Sequence, residues 1–244
     1  GDPMSIARHH AEWQSLVEVS GPFLSMAVLE KVFPQGIADV DSELREKLRL
    51  AHEEWLDAVS GRFDVAIHNA WVRVVFRDAL GFDERDILQD SPLLRLPVPE
   101  HHDTLAATFA IKNPDGRDDA GRPRLLVSVL DPKQDPDRAL PDTLLKAAPV
   151  DRMLLLLRGL QAQGAAFKLG LVTNGSEWVL LHVAPNETTT YVRWTSELWF
   201  DEPLTLRAFT TLVSARRLFG VPDDESLEAL IAQSSKDAQE VTDR

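Results

Sequence analysis

Apolar positions recur at helical spacing through the first third of the chain and then change to the rhythm of strands. Ser5–Leu16 is helix-forming without a firm period. Phe23–Phe33 follows Gly21-Pro22 and stops at Pro34-Gln35-Gly36, which predicts a second helix. Asp41-Ser42-Glu43 opens a third, with Leu44, Leu48, Ala51, Trp55 and Val59 as its apolar positions and Gly61 following. A fourth is predicted from about Asp64 to Leu80. Its stripe is Ile67, Ala70, Trp71, Val74, Val75 and Ala79, and Gly81 closes it.

From about Leu94 the period shortens. Thr104–Lys112 alternates and is strand-forming, Asn113–Pro123 is a polar loop rich in turn residues, and Arg124–Leu130 is an apolar run of strand length. Val150–Ala162 is a strongly apolar helix whose leucines predict burial on more than one side. Two strands, Lys168–Val172 and Trp178–Val183, flank a polar corner, and Thr188–Trp194 reads as another strand. Helix then returns over Thr205–Phe219, ended by Gly220, and again from Asp224. There Leu227, Leu230, Ile231, Ser234, Ala238 and Val241 keep helical spacing with no stop before Arg244. That pattern fits an excised piece of a longer protein as well as an ordinary frayed terminus. The fold class is therefore α/β (α+β), a mixed sheet flanked by helices. Residues 4–90 form a helical N-terminal segment, 91–200 an α/β core and 201–244 C-terminal helices. Residues 1–3, Gly1-Asp2-Pro3 ahead of Met4, read as a cloning remnant.

Composition narrows the function more than the fold. The 244 residues suffice for one large domain or two small ones with an ordinary core. No cysteine is present, so disulfides and thiolate metal sites are excluded, which suits the cytoplasm. No apolar run reaches membrane-spanning length, and Met153–Leu157 is bounded by Arg152 and Arg158. The net charge is −13, with 39 acidic residues against 26 basic ones. A domain that grips a duplex unaided carries a basic face, so DNA binding by this piece is expected to be weak or absent. Arg73 with Arg77, and Arg216-Arg217, are expected to be solvated helix faces.

The corner in FKLGLVTNGSEWVLLHV, residues 167–183, is Thr173-Asn174-Gly175-Ser176, a hairpin signal because Asn-Gly supplies positive φ readily. The pattern hydrophobic-T-N-G-x-x-W-x-L-hydrophobic resembles a segment in the N-terminal regions of bacterial restriction–modification proteins. These include type IIG enzymes, type I motor subunits and the large DNA methyltransferases of BREX- and DISARM-type phage defence. Residues 8–36 and Glu187–Gly220 also resemble the large defence methyltransferases. The Leu80-Gly81-Phe82 helix ending matches the one that precedes a nuclease-like core in these proteins. The resemblance implies a PD-(D/E)xK, restriction-endonuclease-like core. It also implies a downstream domain performing S-adenosylmethionine-dependent adenine-N6 methylation, DNA contact through the intact protein, and defence-system protein partners.

In that nuclease family an acidic residue starts one strand and an E-x-K triad lies on the next. Two carboxylates and a backbone carbonyl hold Mg2+ at the scissile phosphate, and the lysine helps to position or activate water. The resemblance places Asp103 at the first acidic position. The E-x-K position reads Ser128-Val129-Leu130, without carboxylate or amine. Asp131-Pro132-Lys133 offers a D-x-K at the strand's end, where proline removes a donor and turns the chain, and Gln134 falls near a family position. A degenerate scaffold is therefore expected, with Asp103, Asp131 and Lys133 as nuclease remnants. No catalytic, metal or cofactor residue is expected in this piece. Mg2+ would be needed only by the alternative, an active restriction nuclease; a third alternative is an interaction domain unrelated to DNA.

Other templates fail sooner. No G-x-S-x-G elbow, P-loop or G-x-G-x-x-G occurs, and Asn113-Pro114-Asp115-Gly116 lacks the second proline and aromatic of an N-P-P-aromatic methyltransferase site. His101-His102-Asp103, read as adjacent strand residues, would point to opposite faces, and His9-His10 has the same difficulty. His52 and His68 have no i+4 partner, so loop or surface roles are expected of the histidines. Trp178, Trp194 and Trp199 have Arg193 as their only close basic neighbour, and core packing is expected rather than base stacking.

Overall fold

The computed structural model describes residues 3–62, 64–141 and 143–242, without the side chains of residues 3, 4 and 240–242. Gly1-Asp2 and the side chain of Val241 thus lie outside it. The chain forms two compact units, one of residues 1–82 with 194–244 and one of residues 83–193.

The first unit begins with α1 (Pro3–Ser15), a short strand β1 (Glu18–Ser20) and α2 (Met26–Val32). α2 starts later than the Gly-Pro signal predicts, because the Ser25 side chain accepts the Val28 N–H and caps the helix there. α3 (Ser42–Ser60) has its predicted cap, with Asp41 accepting the Glu43 N–H. α4 (Val65–Val74) is capped by Asp64 and runs into a π turn over Val75–Ala79, in which the Leu80 N–H reaches the Val75 carbonyl. The wider turn alters the helix phase. Phe76 and Leu80 join the buried face with Trp71 and Val75, and Ala70 is left exposed.

The second unit is built on a mixed sheet in which β2 (Ile87–Leu88), β5 (Phe109–Lys112), β6 (Pro123–Val129), β7 (Leu169–Thr173), β8 (Glu177–His182) and β9 (Thr190–Thr195) lie side by side in that order. β5 and β6 are antiparallel, with Phe109 opposite Val127. β6 and β7 are parallel, with Leu125 opposite Leu169. β7 and β8 are antiparallel, with Leu171 opposite Leu180. All of β7 is buried, which explains its unbroken apolar run. Helix α5 (Pro149–Ala162) makes the connection that two parallel strands require.

α5 also meets a separate antiparallel hairpin, β3 (Arg95–Val98) with β4 (Asp103–Ala106). Met153 and Leu157 lie over Gly170 of β7, while Gly159 lies beneath Leu96 of β3. Leu94, Leu105, Leu126, Leu156, Leu160 and Val172 complete the core between them. α5 is thus buried against both the sheet and the hairpin, as expected, and only its outer face, with Leu155 43% exposed, is left open. The single strand expected over Thr104–Lys112 is two. The Ala107 N–H bonds to Leu94 beside the hairpin, and the next N–H, of Thr108, bonds to Val127 of the main sheet.

The chain then returns to the first unit as α6 (Pro203–Leu212), α7 (Ala215–Phe219) and α8 (Leu227–Thr242). One helix was expected over Thr205–Phe219. It breaks because Ser214 accepts the Arg217 N–H as a new cap and the Ala215 N–H bonds to the Leu80 carbonyl. The terminal segments interlock: the Ser25 N–H donates to Ser234 Oγ at 2.9 Å, and Arg207 donates to the Ile37 carbonyl at 2.7 Å. The core between them is aromatic, with Trp199 4.9 Å and Trp194 5.2 Å from Phe209, centroid to centroid. No helix among the described residues is long and apolar enough to cross a membrane.

Candidate functional site

Asp103 is the first residue of β4, but β4 belongs to the separate hairpin, and the strand paired with β6 is β5. The Asp103 carboxylate is already satisfied. Oδ2 accepts from Arg152 Nη1 at 3.2 Å and the Leu145 N–H at 3.3 Å, and Oδ1 accepts from the Thr104 N–H at 2.8 Å. The Arg152 hydrogen bond, followed by that of Thr104, holds the Asp103 carboxyl below the usual carboxylate range. A carboxylate fixed in this way is a poor proton acceptor, and its charge is already met by a guanidinium.

Ser128, Val129 and Leu130, at the position expected for E-x-K, line a cavity of about 160 Å³. Leu105, Met153 and Leu156 supply apolar wall, and Arg152 enters from the first turn of α5. Arg152 was legible in the sequence only as the polar boundary of an apolar helix. Its partner is 49 residues away, so no local spacing signals the pair.

Asp131 and Lys133 are exposed and lie in a turn just past β6, closed by the Gln134 N–H on the Asp131 carbonyl at 3.0 Å. Pro132 does turn the chain, and the D-x-K sequence belongs to a loop rather than a strand. Gln134 is drawn into the Thr173-Asn174-Gly175 corner, where Asn174 Nδ2 donates to its carbonyl at 2.9 Å. Asn174 Oδ1 accepts the N–H groups of Ser176 and Glu177 at 2.9 and 2.8 Å, and the Gly175 N–H donates to Thr173 Oγ1 at 2.9 Å. Gly175 carries the positive φ of the turn, 92°. Arg193 reaches across the same region to Glu177 and Asp137. The corner is a clamp holding the β7–β8 turn to the loop after β6.

The histidines depart from expectation. His10, His52 and His68 are buried rather than superficial. Trp13 Nε1 donates to His10 Nδ1 at 3.0 Å, and Trp55 Nε1 donates to His68 Nδ1 at 3.0 Å. Each indole thereby fixes the tautomer that carries its proton on Nε2. His52 packs 5.2 Å from Trp71, and its Nε2 lies 3.3 Å from Ser196 Oγ. His101 and His102 are not strand residues. They occupy the exposed turn before β4, with His102 left-handed at φ 50°. No group of three or more His, Asp or Glu side chains among the described residues is placed to hold a metal ion.

Arg216-Arg217 is not a solvated pair: Arg217 is buried, with Nη1 on the Glu225 carbonyl and its guanidinium 4.7 Å above the Phe33 ring. Burial pushes its pKa down. Arg73 and Arg77 are exposed, and Arg77 pairs with Asp78. The tryptophans are core residues, as expected, and none of the six is more than 2% exposed.

No known protein family, curated protein or solved structure matches this chain.

Proposed function

We propose that this chain is a scaffold or regulatory domain of a bacterial DNA methyltransferase of the restriction–modification or phage-defence kind, acting in the cytoplasm and without catalysis of its own. The observation that carries the reading is the state of the would-be nuclease centre. Asp103 is neutralised by Arg152, and the E-x-K position is Ser128-Val129-Leu130 against a largely apolar cavity. Together with the T-N-G corner, this supports a degenerate PD-(D/E)xK-like core kept for its architecture. S-adenosylmethionine-dependent adenine-N6 methylation would belong to a domain downstream, which also makes the DNA contact, while this part meets defence-system proteins or transmits control.

Two measurements test the reading. Plasmid DNA incubated with the chain and Mg2+ or Mn2+ should stay uncut. Cutting that Asp131→Ala abolishes would instead establish the active nuclease of Asp103, Asp131 and Lys133. The reading frame beyond Arg244 should encode a glycine-rich cofactor motif and an N-P-P-aromatic motif; a frame with neither ends the methyltransferase assignment.

A further inference from the structure

The guanidinium of Arg152 is only half used. Its side chain is 15% exposed, and Nη1 alone is hydrogen-bonded among the described residues, to Asp103 and the Leu145 carbonyl. Nε and Nη2, the side-on fork of the group, donate to no acceptor among the described residues. That edge is not sealed from solvent, and it belongs to a residue lining a cavity, so a ligand entering the cavity can reach a cation with donors to spare. The cavity walls are otherwise mostly apolar, from Leu105, Val129, Leu130, Leu140, Met153 and Leu156, with the hydroxyls of Thr108 and Ser128 beside them. At about 160 Å³ the space is close to the roughly 150 Å³ known to accept a benzene ring.

We propose that this cavity binds a small monocarboxylate with a compact apolar body. The carboxylate takes the Nε/Nη2 fork of Arg152 in bidentate fashion, and the body fills the space between α5 and the ends of β4 and β6. A planar fork matches a carboxylate in a way an ammonium cannot. The apolar walls give the body its affinity and set its size. The inference rests on the cavity and its guanidinium alone and is independent of the methyltransferase reading.

The probe is benzoate, with benzamide as its neutral isostere, titrated into the full chain by saturation-transfer NMR and thermal shift. Benzoate should bind saturably and at least ten-fold more tightly than benzamide. Arg152→Lys keeps a cation for Asp103 but lacks the fork, and should weaken benzoate about ten-fold without altering benzamide. Ala106→Phe, at an exposed position lining the cavity, should block both ligands while the protein stays folded. Absence of saturable benzoate binding overturns the proposal. So does equal binding of acid and amide, or benzoate binding that survives Ala106→Phe.

Discussion

Asn174 shows how much a single side chain can carry. Sequence alone marks the Asn-Gly pair as a turn. It does not reveal that the carboxamide is spent on three backbone partners, one of them in the loop after β6. Asn174→Ala should therefore cost about 2–3 kcal/mol, since it strands two N–H groups and a carbonyl. Asn174→Asp keeps the two acceptor bonds and should cost about half as much; denaturant midpoints of the two variants would check this order. His9 makes a different residue-scale prediction. Its Nε2 accepts the Ile37 N–H at 3.1 Å, and burial, followed by the neighbouring His10 and Arg207, lowers its pKa from 6.5. The unfolded chain then takes up the proton before the folded one. The stability due to this group is complete above pH 6.5 and is lost as pH falls below that value. His9→Gln, which can retain an acceptor but cannot titrate, should flatten the melting temperature between about pH 7 and pH 5.

At the scale of elements, caps and periods were legible where they were local. Asp41 and Gly61 bound α3 as the sequence predicts, and the polar loop expected over Asn113–Pro123 joins β5 to β6, which takes Pro123 as its first residue. What escaped depended on distant partners. The strand over Thr104–Lys112 divides because neighbouring N–H groups serve different sheets, and the helix over Thr205–Phe219 breaks where Ala215 finds Leu80. The same limit hid the candidate site, since Asp103 could be picked out by position but Arg152 could not. Gly159 illustrates the conflict between levels. Helix propensity favours alanine there by about 1 kcal/mol. A Cβ would nevertheless overlap the Leu96 side chain of β3, and overpacking of this kind costs about 1–3 kcal/mol. Gly159→Ala should be destabilising in the native background and neutral or stabilising alongside Leu96→Ala, a coupling that a double-mutant cycle measures.

The whole molecule carries a net charge of −13, and the arginines that stand out are committed internally: Arg152 to Asp103, Arg193 to Asp137 and Glu177, and Arg217 to the Glu225 carbonyl. Non-specific DNA binding at physiological salt has Kd values of about 10⁻⁴–10⁻⁶ M in proteins built for it. This chain should fall at or beyond the weak end, with no retarded band at micromolar protein. A micromolar complex that weakens steeply with added salt would contradict the charge argument. The division into two units has a consequence in time. Residues 83–193 lie between the two halves of the other unit, so during synthesis they are complete before α6, α7 and α8 exist. At ~5–20 residues per second, α1–α4 wait on the order of ten seconds with Trp13, Trp55 and Trp71 lacking the segments that complete their unit. A ribosome paused in that interval would hold one finished unit and one open aromatic surface, a state that invites a chaperone.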